Sequence, residues 1–201
     1  MPDPYRVFTD EMLARIETRT LTLDVAQEAA DRLVELLSPA CERIVVAGSI
    51  RREKPDGIKD IELVAIPRCE TDLLGEHDVT RTFLDARIAE IGGLAPRAMT
   101  GGSFRMGPRY KAMQFLWNGV LAPVDLFLVL PPAEWGAILA IRTGPAAFSQ
   151  HLVTSARRMG RCVENGRVVT DSVGRRVIPT PTERDFFEAC GVEWTEPRDR
   201  R

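Results

Sequence analysis

Asp60-Ile61-Glu62 places two carboxylates two residues apart inside an apolar stretch. On a strand both side chains share one face, while Ile61 and Leu63 point the other way into a core. Side-by-side carboxylates repel, and burying them unpaired is costly. A divalent cation relieves both problems. Asp125 supplies a third acid, set between Val124 and Leu126-Phe127-Leu128 in another apolar run. Three carboxylates on one sheet face can hold two Mg²⁺ ions ~3.5–4 Å apart, an arrangement that activates an attacking oxygen and stabilises a leaving one. Upstream, Gly48-Ser49-Ile50-Arg51-Arg52 follows a short β-branched run. Glycine permits close backbone approach, free N–H groups and the Ser49 hydroxyl donate to phosphate oxygens, and arginine adds charge. The glycine and lysine spacing of a P-loop is missing. The combination points to metal-assisted chemistry at a phosphate.

The elements that must position these groups follow from periodicity. Val25, Ala29, Leu33 and Leu37 recur at helical spacing and Ser38-Pro39 stops the run, which predicts a helix from Asp24 to about Leu37. Arg43 to Ala47 and Ile61 to Ile66 read as strands, and Val79 to Ile91 as a helix closed by Gly92-Gly93. Phe104 to Met106, Tyr110 to Leu116 and Val120 to Leu130 read as strands, the last two joined by a turn at Trp117-Asn118-Gly119. After Pro131-Pro132 the character changes. Ala133 to Ile141 and Ala146 to Met159 read as helices, Arg161 to Thr170 as a hairpin turning at Glu164-Asn165-Gly166, and Thr182 to Cys190 as a last helix. Gly101-Gly102 reads as a β turn, because no helix follows it. The organisation is α/β-like to about Leu130 and then a smaller α+β unit.

Composition sets limits. Hydrophobic residues at 44% and charged residues at 28% describe an ordinary globular chain. The four cysteines are scattered, which argues against a zinc site or a disulfide framework and for a reducing compartment. No signal pattern opens the chain and no apolar run spans a membrane, so the expectation is a cytoplasmic or nucleoid-associated monomer. A net charge of −2 excludes coating DNA by bulk positive charge, so any nucleic-acid contact needs local patches.

Gly48-Ser49-Ile50-Arg51-Arg52 through Asp60-Ile61-Glu62-Leu63 resembles the motif of the family X DNA polymerases, the polymerase beta group. Arg19 to Leu37 resembles the end of that family's fingers, and Arg142-Thr143-Gly144-Pro145 its Thr-Gly-Ser turn. Val163-Glu164-Asn165-Gly166 and Gly191 to Pro197 resemble the rest of its thumb. The resemblance implies an α+β fold: a helical segment over 1–40, a nucleotidyltransferase palm with a mixed sheet and flanking helices over 41–131, and a small α+β thumb over 132–201. It implies Asp60, Glu62 and Asp125 as catalytic ligands of two Mg²⁺ or Mn²⁺ ions. Gly48, Ser49, Arg52, Arg19, Thr143 and Gly144 would bind the nucleotide. The implied activity is DNA polymerisation of a gap-filling, repair type, adding a deoxynucleotide from its triphosphate to a primer 3′-OH and releasing pyrophosphate. DNA and deoxynucleoside triphosphates would be the partners.

Departures from the family pattern keep other readings in view. Glu62 stands where the family has Asp, and its extra methylene moves an oxygen by roughly a bond length. Ile141-Arg142 replaces an aromatic pair that selects the sugar, and Pro145 replaces Ser, with either a cis or a trans bond from Gly144. A chain of this length is expected to lack counterparts of the N-terminal lyase and helix-hairpin-helix modules of larger members, and so to grip DNA weakly. Arg142, Arg157, Arg158, Arg161, Arg167, Arg175 and Arg176 give the thumb local positive charge, each a DNA contact or a plain exposed face. The alternatives are a template-independent or ribonucleotide-tolerant transferase, and a catalytically weak nucleic-acid-binding module. Trp117, Trp135 and Trp194 read as packing residues, and His151 as packing or surface.

Overall fold

A computed structural model describes residues 20–71, 77–99 and 101–201. The fold is mixed α+β, centred on a five-stranded sheet of β1 (Cys41–Val46), β2 (Ile61–Pro67), β5 (Leu94–Pro96), β6 (Tyr110–Trp117) and β7 (Val120–Leu128) in the order β1-β2-β7-β6-β5. β2 and β7 run parallel, and every other neighbouring pair is antiparallel. Alternation along β2 decides what each face does. Ile61, Leu63 and Ala65 join the main core beneath α1 (Leu23–Leu37) and α3 (Phe83–Glu90), to which α1 contributes Ala26, Ala29, Ala30, Leu33 and Leu37. Each buried leucine there is worth about 1.5–3 kcal/mol. The helix ahead of the sheet therefore shares one core with it.

Val64 points to the opposite face and packs with Ala47, Trp135 and Leu139. The last two lie on α4 (Trp135–Thr143), whose other side gives Ala137 and Ala140 to a second core with Leu152, Val168, Phe186 and Phe187. α4 is thus shared between the sheet and the C-terminal elements: α5 (Ala146–Arg158), the small sheet of β8 (Arg161–Glu164), β9 (Arg167–Thr170) and β10 (Val177–Ile178), and α6 (Glu183–Ala189). Gly136 makes the approach of α4 possible. A Cβ there would lie 2.0 Å from the Thr182 carbonyl oxygen.

Most expected elements are present. The tight turns fall at Asn118-Gly119 and Asn165-Gly166, all four residues at positive φ as two-residue hairpin turns require. Thr182 closes a capping box with Asp185 at the start of α6. The helix expected from Val79 begins only at Phe83, because β4 (His77–Thr82) pairs with β3 (Cys69–Thr71). Val79, Thr80 and Thr82 are β-branched and favour that strand. Phe104 to Met106 forms isolated bridges, Ala98 to Phe104 and Met106 to Lys111, since Gly101-Gly102 and Gly107-Pro108 interrupt any longer ladder. β5 and β10, of three and two residues, are too short to display a period.

Candidate active site

Glu62 and Asp125 are direct partners in the parallel ladder of β2 and β7, so both side chains rise from the same sheet face. Asp60 stands one residue before the first paired position, Ile61, at the entry to β2. The register is held from beneath by Ile61, Leu63, Val124 and Leu126, all fully buried. A slip of one residue would drive the carboxylates into the core, which is why the pattern is strict. Burial, then Asp60 and Asp125, pushes the Glu62 carboxyl up to about 7. Burial and the Asp125 charge likewise raise Asp60. The three acids feel one another.

Gly48 opens α2 (Gly48–Arg51) at φ +60°. A Cβ on it would lie 1.8 Å from Glu62 Oε2, so the glutamate carboxylate occupies the space a side chain would take. The Ala47 N–H donates to the Glu62 carbonyl at 2.8 Å and ties the loop to the strand. Arg52 donates through Nη2 to Ser49 Oγ at 3.1 Å and through Nη1 to the Thr143 carbonyl at 2.5 Å. Its other charge partners are Glu62 and Asp60. Arg51 turns to the C-terminal elements. It donates to Thr143 Oγ1 at 2.7 Å and forks onto Glu183 at 2.9 and 2.5 Å. Thr143 is fully buried, its hydroxyl engaged by Arg51. Gly144 closes α4, and its bond to Pro145 is trans. Arg19 lies outside the described residues.

Arg97 and Tyr110 reach Asp125 with no sequence signal for this role, and Arg142, at the position read above as replacing a sugar-selecting aromatic, joins them. Arg97 Nη2 donates to Asp125 Oδ1 at 2.6 Å, and the Tyr110 hydroxyl donates to the same oxygen at 2.8 Å. Arg142 lies over the Phe127 ring at 3.9 Å and feels the charges of Glu62 and Asp125. No local pattern announces them, because the registers of β6 and β7 bring Tyr110 across from Phe127. Among the described residues no three Asp, Glu, His or Cys side chains gather tightly enough to hold a metal ion. Guanidinium groups supply the positive charge at the acids instead, Arg97 on Asp125 and Arg52 toward Glu62 and Asp60.

The tryptophans pack: Trp117 stacks on Phe115, Trp135 is buried, and Trp194 lies against Phe187. His151 is exposed on α5. Of the thumb arginines, Arg161 donates to the Glu188 and Ala189 carbonyls and Arg175 pairs with Glu164, whereas Arg157 and Arg158 are exposed. No helix among the described residues is long and apolar enough to cross a membrane.

Residues 138–201 match the family described as DNA polymerase beta thumb. The chain is also similar to DNA polymerase lambda of Rattus norvegicus, 32% identical over 82 residues that make up 36% of this chain and 14% of that protein. The chain thus spans a small part of that relative's length. With a mixed sheet carrying paired acids beside a glycine-serine loop, and a thumb of the polymerase beta type over its last third, the chain is family X polymerase-like.

Proposed function

We propose that this protein is a metal-dependent nucleotidyltransferase that adds deoxynucleotides from their triphosphates to the 3′-OH of a DNA strand. The observation that carries the reading is the ladder pairing of Glu62 with Asp125 beside Gly48-Ser49, on a chain whose last third matches a polymerase thumb. Asp60, Glu62 and Asp125 are hard oxygen donors, and burial with their mutual repulsion raises Glu62 to about 7; a divalent cation would relieve that cost once the three draw closer than they lie at rest. Two Mg²⁺ or Mn²⁺ ions held there would supply charge neutralisation at the phosphates.

The chain's own groups do the rest. Ser49 and Arg52 orient the β- and γ-phosphates, which requires Arg52 to leave the Thr143 carbonyl it holds at rest. Asp125 lies nearest the strand terminus and takes the proton of the 3′-hydroxyl. That oxygen bonds to the α-phosphorus in line with the bridging oxygen, whose bond breaks as pyrophosphate leaves. Positioning and electrostatics provide the acceleration. The experiment is pyrophosphate release with a primed DNA and the four deoxynucleoside triphosphates. Release should require Mg²⁺ or Mn²⁺ and vanish when the primer ends in a 2′,3′-dideoxynucleotide. Release that persists with the blocked primer would overturn the reading.

A further inference from the structure

A cleft of about 460 Å³ opens beside α4. Trp135 and Leu139 of α4 line it, whereas Ile138 and Arg142 of the same helix line the cavity at Asp125, so the two open on different flanks of α4. Arg43 and Val45 of β1 form one wall, and Arg184 of α6 forms another with Trp194. Both wall arginines are held by rings. The Arg43 guanidinium lies 4.0 Å over the Trp135 indole, and that of Arg184 lies 4.6 Å over Trp194. The rings are thereby covered and fix the guanidinium groups, whose N–H donors stay free for an acceptor. Acids do not meet these charges closely. Arg43 has no ion pair among the described residues, and Arg184 reaches Glu196 at 3.8 Å, with both groups more than half exposed. Glu183, which also lines the cleft, accepts from both Nη groups of Arg51 and from Arg200 Nη1. Arg200 Nη2 is buried with no acceptor. Four guanidinium groups against two carboxylates leave an excess of two positive charges here.

Positive charge on two walls calls for an anion with acceptors on more than one side. A carboxylate has two oxygens and is filled by one guanidinium fork, as Glu183 is by Arg51. A phosphate chain carries oxygens along its whole length and takes a fork at each end. The cleft also has the volume of a small-molecule site. We infer that it binds a di- or triphosphate group, with Arg43 taking one end and Arg184 the other. The group is free pyrophosphate, or the phosphate end of a nucleotide whose remainder lies on Val45 and Leu139. Bound there, it ties β1 to α6 beside the Arg51–Glu183 pair. The site would exist whether or not the protein transfers nucleotides.

The test is a titration of intrinsic tryptophan fluorescence with sodium pyrophosphate in EDTA. Two of the three tryptophans, Trp135 and Trp194, carry the arginines of the cleft, and neither lines the cavity at Asp125. Pyrophosphate should change the emission along a saturable curve. Arg43→Gln and Arg184→Gln should each raise its midpoint by about tenfold. Both side chains are exposed, so the variants should keep wild-type melting temperatures. Arg52→Gln takes a guanidinium from the loop at Gly48 and none from the cleft, and should leave the midpoint where it is. ADP in place of pyrophosphate identifies the source. A lower midpoint means a nucleotide and an equal or higher one means the free anion, and both outcomes support the site. Emission that does not respond, or a response matched by sodium sulfate at equal ionic strength, would overturn the inference. So would a midpoint unmoved in both cleft variants, or moved as far by Arg52→Gln as by them.

Discussion

Glu62 is where the chemistry of single residues can be measured most directly. Its carboxyl ordinarily titrates at 4.5 and is held up to about 7 by burial and by Asp60 and Asp125. Between those values the folded state binds more protons than the unfolded one, so stability falls as pH rises through the window and levels off above it. Solvent screening reduces the effect to on the order of 2 kcal/mol. Glu62→Gln should therefore flatten the fall in stability between pH 4.5 and 7 in EDTA, measured by urea unfolding. An unchanged slope would mean that Glu62 is not the group that titrates. Asp60, Glu62 and Asp125 were legible in the sequence because an acid set into an apolar alternation costs stability unless a cation or a reaction makes use of it. Arg97 and Tyr110 were not, since their contact with Asp125 depends on strand order and register, which local patterns do not carry.

At the scale of elements, the one-turn helix α2 and strand β2 are fitted to each other through Gly48. Any side chain at Gly48 meets Glu62 Oε2 and must also adopt φ +60°. Gly48→Ala should displace the loop or the carboxylate by about 1 Å and lower turnover about 100-fold. Steady-state kinetics on a variant with native circular dichroism checks this, and near-wild-type turnover would show that the fit is not needed. The helices and longer strands were readable from periods of 3.6 and 2, and both Asn-Gly turns from their residues. The stretch after Val79 was not, because its apolar spacing suits a helix while its β-branched residues favour the strand that forms.

Across the whole molecule, the loop at Gly48 to Arg52 is joined to the C-terminal elements by a chain of arginines and one acid. Arg51 and Arg200 both bond Glu183, which is only 7% exposed, and Arg51 and Arg52 both hold Thr143. Arg51 and Glu183 are 132 residues apart in sequence, so nothing local could have paired them. Removing the shared acid leaves the buried Arg200 guanidinium without its partner, which typically costs about 3–5 kcal/mol. Glu183→Ala should lower the melting temperature markedly and speed cleavage of the C-terminal elements in limited proteolysis. Melting and cleavage like those of wild type would mean that the network does not hold loop and thumb together.

Nucleotidyl transfer by Asp60 and Asp125 is tested most directly by primer extension. A 5′-labelled primer on a gapped template would be incubated with the four deoxynucleoside triphosphates and Mg²⁺ or Mn²⁺, using wild type, Asp60→Ala and Asp125→Ala in parallel. The expected result is stepwise extension by the wild type and none by either variant, with all three proteins folded by circular dichroism. Extension that survives both substitutions would contradict the assignment of these two acids.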